Sequence, residues 1–232
     1  MTVKPLIEHL DELRLRLIVI LVFFFVVFLI GFFASNFIIQ RVINDLVIAE
    51  NIKLIVLTPL EFIYAKLKVG FLSALMITSP LIIYELLLFA KPALTRREKN
   101  AIKLILPSFV LLFLAGIVFA YFIFLPVALF FLANLTTFNI LNMWSLNKFI
   151  SFIFITALSF GIVFQIPLIM LVLHRLNIFN IEVLKKQRKV VYVLAFLLAA
   201  IITPPDVVTQ IIIAVPLIVL YEASFLFVRI FR

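Results

Sequence analysis

The feature that most constrains this chain is the alternation of long uncharged runs with short basic islands. Runs such as 17–34, 104–125 and 149–173 are apolar over about 20 residues, the length a helix needs to cross about 30 Å of hydrocarbon. Between two runs lies the polar stretch 89–103, FAKPALTRREKNAIK, which carries Lys91, Arg96, Arg97, Lys99 and Lys103 with Glu98 as its only acid. A basic loop of this kind stays on the cytoplasmic side of a membrane and fixes the orientation of its neighbours. Composition agrees: 66% of residues are hydrophobic, 13% are charged and the mean hydropathy is +1.34. Too few polar side chains remain to clothe a soluble domain of this length. The runs do not alternate apolar and polar residues as barrel strands do, so the expected class is an all-α integral membrane protein.

The formal charge of +9 raises nucleic acid as a partner, but the cations cluster at the ends of apolar runs. That placement suits topology and anionic headgroups, and no nucleic-acid role is expected. There is no cysteine, and His9 and His174 have no metal-ligand spacing, so neither metal nor cofactor is expected. The polar start and the long first run also argue against a cleaved signal.

Residues 1–16 place Leu6, Leu10, Leu13 and Leu17 at helical spacing and read as an amphipathic helix on the membrane surface. It leads into a first span, Leu17 to Ala34. The mixed stretch 35–65 is too polar to span and is expected to hold a short helix or two. The second span is Val69 to Phe89, with Pro80 as a kink. The third is Leu104 to Leu125, edged by Pro107 and Pro126. Residues 127–148 form a second loop, with Trp144 at the interface. The fourth span is Phe149 to Leu173, followed by a basic loop over 175–189. The last two, Val190 to Ile202 and Val207 to Tyr221, are about 13 and 15 residues, roughly 20 Å of helix each, short of the hydrocarbon thickness. Thr203, Pro204, Pro205 and Asp206 join them in a tight turn. This gives one transmembrane domain over 1–232, with six helices, the last two short.

The N-terminal segment, the two basic loops and the C-terminus hold fifteen Lys and Arg residues. The opposite side holds five: Arg41, Lys53, Lys66, Lys68 and Lys148. Both termini are therefore expected in the cytoplasm, with the protein in the cytoplasmic (inner) membrane.

Three polar constellations stand out. In 8–14, EHLDELR, Glu8 and Asp11 suit a helix start, whereas Glu12, near Arg14, sits where an acid is costly unless it has a task. In 92–98, PALTRRE, Thr95 can cap the third span with Glu98 completing a capping box, which also fixes that carboxylate. Glu12 and Glu98 together suit two guanidinium groups, each held by a fork that lysine cannot reproduce. Within the membrane, Gln165, Glu85, Thr203, Asp206 and Gln210 are each able to hydrogen-bond a neighbouring helix.

These features in this order resemble the TatC family, the large multispanning subunits of twin-arginine protein translocases. The resemblance covers nearly the whole chain. It rests on PLIEHLDELR at 5–14, KPALTRRE at 91–98, FAYF at 119–122, FGIVFQIP at 160–167 and TPPD at 203–206. It implies a cupped arrangement of the six helices and a receptor that is not an enzyme. It implies binding of the Arg-Arg motif of signal peptides by Glu12 and Glu98, with Arg14, Phe89, Leu94 and Arg96 beside them. Single-span TatA- and TatB-type subunits are expected near Thr203 and Gln210, next to the turn Pro204-Pro205-Asp206, within a homo-oligomeric complex. No nucleotide motif is present, so the driving energy is expected from the proton gradient. One departure is notable: the family usually has Glu where this chain has Gln165, which keeps size and hydrogen bonding but cannot ionise. The competing classes are a small-solute or ion transporter, which would carry repeats and broken helices around a midplane site, and an assembly scaffold, in which Glu12 and Glu98 would be dispensable.

Overall fold

The computed structural model describes residues 6–47, 52–90, 96–134, 143–175, 186–202 and 207–230. Helices account for nearly all of them: α1 (Leu6–Leu46), α2 (Glu61–Ala90), α3 (Arg96–Phe119), a π-helical segment (Ala120–Phe124), α4 (Leu125–Asn134), α5 (Leu146–Val163), α6 (Ile166–Arg175), α7 (Arg188–Ile202) and α8 (Val207–Ile230). Two short strands, β1 (Lys53–Ile55) and β2 (Met143–Ser145), complete the list. The run from α3 through the π segment to α4 is one rod, and α5 with α6 is another, broken at Phe164–Gln165. Six rods result. Four are long and apolar enough to cross a membrane, and the C-terminal pair is shorter in its apolar part.

Direction follows from which residues meet. Arg16 meets Glu85 and Gly31 meets Gly70, so α1 and α2 are antiparallel. Phe109 meets Gln165 and Gly116 meets Phe160, so α3 runs against α5. Arg188 meets Glu222 and Phe196 meets Gln210, so α7 runs against α8. One end of the molecule therefore collects the start of α1, the end of α2 and the starts of α3 and α7. We call it the basic end. The other collects β1, β2 and the start of α5, and we call it the cap end.

Several sequence expectations change here. The N-terminal segment is no separate surface helix. It forms the first turns of α1, whose 41 residues reach about 60 Å, twice the hydrocarbon thickness. No short helix fills 35–65 among the described residues: α1 runs on to Leu46, and β1 follows. Pro107 lies inside α3 rather than at a span edge, and α4 carries that rod to Asn134. Polar turns at helix ends carry no hydropathy signal, which is why the spans were legible and their overhangs were not. Helix α7 is short as expected, 15 residues or about 22 Å. Helix α8 passes the expected Tyr221 and ends at Ile230, although its apolar stretch among the described residues, Gln210–Phe225, is short. The turn 203–206 lies outside the described residues.

Lipid removes the usual hydrophobic drive between helices, so close backbone approach has to hold them. All four glycines of the chain serve this purpose. A Cβ on Gly116 would lie 2.6 Å from the Phe160 carbonyl oxygen, and one on Gly161 would lie 2.8 Å from Phe113 Cε2. Gly31 and Gly70 bring α1 and α2 together in the same way. Half of the apolar window of the α5–α6 rod is buried within the protein, against 11% for α1 and for α2, so that rod is the hub. Ile150, Ile153 and Phe160 of α5 meet Leu125 and Leu129 of α4 and Ile213 of α8 in the core. Outward residues such as Leu21, Phe25, Phe33 and Phe37 stay exposed and face lipid.

The cap is tied by Glu61, the first residue of α2. Strands β1 and β2 pair in parallel, Lys53 with Met143 and Ile55 with Ser145. A two-stranded ladder is marginal alone. The Glu61 carboxylate accepts from Leu57 N–H at 2.5 Å, just past β1. It also accepts from the Ser145 hydroxyl and, at 3.2 Å, from Asn147 N–H at the start of α5. The 30 residues of α2 reach about 45 Å, so its first turns project beyond the hydrocarbon. The Ser145 hydroxyl, then the Leu57 N–H, hold the Glu61 carboxyl below its usual range, with desolvation opposing them.

Candidate functional site

At the basic end, the pairing of α1 with α2 sets Arg16 between two carboxylates. Its Nε and Nη2 both donate to Glu12 Oε1, at 3.3 and 2.5 Å. Its Nη1 donates to Glu85 Oε2 at 2.7 Å. Glu12 and Arg16 are four residues apart, so they share a helix face with the acid on the N-terminal side, the favourable order. All three are partly shielded, with side chains 12–23% exposed. Among the described residues the cluster holds two acids and one cation, at the end where the cations gather.

Glu12 is therefore already engaged by a guanidinium, the chemistry expected of its ligand. Arg14 lies on the exposed side of α1, and Phe89, in the last turn of α2, is half-buried. Arg96 and Glu98 occupy the first turn of α3. Their side chains, and Thr95 and Leu94, lie outside what is described, so the capping box is not visible. The structure brings Glu12 to Arg16 and Glu85 and leaves its distance to Glu98 undrawn.

Gln165 is buried at the α5–α6 break, where Pro167 in the first turn of α6 has no N–H to continue the ladder. Its Nε2 donates to the Phe109 carbonyl of α3 and to the Gly161 carbonyl of α5, both at 3.3 Å, and its Oε1 has no partner among the described residues. The expected bond to a neighbouring helix is thus made by the amide N–H₂, which a carboxylate lacks. Gln210 donates to the Phe196 carbonyl at 3.0 Å and joins α8 to α7. At the other end of that pair, Glu222 accepts from Arg188 and from the Tyr192 hydroxyl, each at 2.6 Å. Thr203, Pro204, Pro205 and Asp206 fall outside the described residues.

Sequence reasoning passed over Arg16, although its spacing from Glu12 was a readable signal. It also passed over the clamp at the far end of α1. There Tyr121, on the π-helical segment, donates to Asp45 at 2.9 Å while Arg41 donates to the same oxygen at 3.1 Å. A π segment inserts an extra residue into a turn and re-aims its side chains, and nothing in FAYF announces it.

Long antiparallel rods, a hub helix and a polar cluster at one end define a multi-pass helical membrane protein with a charged cluster at its basic end. The family model for "Sec-independent protein translocase protein (TatC)" matches residues 8–216. The TatC of Aquifex aeolicus is 37% identical over 224 residues, covering 95% of this chain and 92% of that protein. TatCd of Bacillus subtilis is 36% identical over 219 residues, covering 94% and 89%. The Escherichia coli TatC is 32% identical, covering 97% and 88%. A crystal structure of the twin arginine translocase receptor TatC matches with a TM-score of 0.85 at 35% identity, over 96% of this chain and 98% of that one. The chain belongs to the TatC family: it is the receptor subunit of a twin-arginine translocase, works in Sec-independent protein translocation, and is not an enzyme.

Proposed function

We propose that the basic end binds the Arg-Arg motif of signal peptides, with Glu12 and Glu98 as the two carboxylate partners. The observation that carries this reading is the Arg16–Glu12 contact: the carboxylate already holds a guanidinium and stands partly shielded on a packed helix pair. Arg16 acts as its resident partner. An incoming arginine displaces it from Glu12, and Glu85 keeps it from becoming an uncompensated charge. Phe89 and Leu94 offer apolar contact to the peptide beside the motif, and Arg14 and Arg96 line its approach. Cations around Glu98 raise the cost of bringing another, so selectivity comes from fork geometry rather than from bulk charge.

The wider reading follows the resemblance. Both termini and the basic end face the cytoplasm, in keeping with the fifteen-to-five split of Lys and Arg. TatA- and TatB-type subunits dock along the short C-terminal pair near Thr203 and Gln210, and copies of the chain assemble into a larger complex driven by the proton gradient.

The test is signal-peptide affinity in nanodiscs. Losing one partner of a partly shielded charge pair costs at least about 1.4 kcal/mol, or tenfold. Glu12→Gln and Glu98→Gln are each expected to weaken an Arg-Arg peptide by that factor. An Arg-Arg peptide should outbind a Lys-Lys peptide, and Glu8→Ala should change little. Parent-like binding by both Gln variants would remove the chemical basis of the reading.

A further inference from the structure

The cap end carries five cations that the receptor reading does not use. Of its five, Arg41 is paired with Asp45. Lys66 lies 5.6 Å from the ring centres of both Phe32 and Phe62, a cation–π arrangement. Lys53 points from β1 into solvent. Lys68 and Lys148 instead line a groove of about 800 Å³ between α2, α4, β2 and α5. Among its described lining residues there is no carboxylate.

The groove is built as a polar mouth on an apolar wall. Lys148, Ser151, Phe152 and Ile155 are spaced i, i+3, i+4 and i+7, so they form one stripe of α5. The Lys68 ammonium donates to Ser151 Oγ at 2.8 Å, which sets it one turn from Lys148 on that stripe. Ser151 in turn donates to the Asn147 carbonyl at 2.6 Å, so its oxygen is fixed for Lys68. Trp144 of β2 stands at the same mouth, and below it the wall is Leu132, Phe152 and Ile155. Two ammonium groups lining one groove with no described carboxylate between them favour an anion there.

We infer that this groove is a binding site for an anionic phospholipid, its phosphodiester between Lys68 and Lys148 and an acyl chain along Phe152 and Ile155. An ammonium has three N–H donors. Lys68 makes one hydrogen bond among the described residues, and Lys148 is exposed. A zwitterionic lipid brings its own cation to the mouth and meets repulsion there. A free phosphate would satisfy the lysines and leave the apolar wall unused. The mouth lies at the first turns of α5, beside Trp144, the height at which indoles mark a headgroup layer.

The experiment is native mass spectrometry of the full chain in detergent, titrated with phosphatidylglycerol and with phosphatidylcholine of the same acyl chains. The parent is expected to prefer phosphatidylglycerol at least tenfold. Lys68→Gln/Lys148→Gln should lose that preference, and Lys148→Gln alone, at an exposed side chain, should lose part of it. Lys68→Arg/Lys148→Arg and Arg41→Gln should keep it, with equal melting temperatures in phosphatidylcholine verifying the fold. An undiminished preference in the Gln variants overturns the inference, as does a parent without preference. Soluble glycerol phosphate displacing the lipid at equal concentration would make this a free-phosphate site and overturn it too. So would a photocrosslinker at Phe152 capturing polypeptide instead of lipid in native membranes.

Discussion

Arg16 offers Glu12 what a signal arginine would offer, so any such ligand competes with it. In the parent, a displaced Arg16 still has Glu85 at 2.7 Å. In Glu85→Gln that charged partner is gone and release costs more. Arg-Arg peptide affinity is then expected to fall about threefold, near 0.7 kcal/mol, the worth of a partly exposed pair. Unchanged affinity would mean that Arg16 does not compete. At the cap, Glu61→Gln replaces one acceptor oxygen with a donor that faces the Leu57 or Ser145 donor. A lower melting temperature and faster proteolysis near β1 are expected. The pH response follows from the lowered Glu61 carboxyl. The stability it adds is complete above the ordinary carboxylate pKa and fades as pH falls through the depressed one. Parent stability from this group should therefore be flat above the ordinary carboxylate range and decline as pH falls below it. Glu12 was legible because an acid at a hydrocarbon edge asks for a reason. Glu61 was not, because its partners Ser145 and Asn147 stand 84 and 86 residues away.

Among elements, hydropathy located every rod but said little about how the rods touch. The hub position of the α5–α6 rod comes from small residues, and four glycines in a membrane chain do not say which helices they join. Gly116→Ala tests the closest approach. Its methyl would press on the Phe160 carbonyl, a backbone atom that cannot swing aside. Separating α3 from α5 would also lengthen the Gln165–Phe109 bond. We expect a melting temperature several degrees lower, equivalent to about 1–3 kcal/mol of overpacking. Gly70→Ala has more room, with its nearest contact at 3.0 Å, and should cost less. Equal losses would show that the α3–α5 contact is not the tighter one. The π-helical segment was the least legible element, since its only outward sign is where Tyr121 ends up.

For the whole molecule, the absence of cysteine makes single-cysteine labelling clean. Probes at Asn51, Asn142 and Asp206 are expected to react from outside the cell, and probes at Asn100 and Gln187 from the cytoplasm. External labelling at Asn100 would invert the assignment. Charge asymmetry carries that expectation, whereas the cap was hidden, because three-residue strands carry no periodicity to detect. That cap has a bearing on assembly. Lys53 and Met143 lie about ninety residues apart, and two complete rods separate them. While the chain is being synthesised, the α1–α2 hairpin can settle early through Gly31 and Gly70, but β1 has no strand to pair with. Glu61 likewise waits for Ser145 and Asn147. Such a distant contact is slow to form and adds stability only once the loop has closed. The parallel strand pair is thus a late latch, which closes only when the hub helix has arrived.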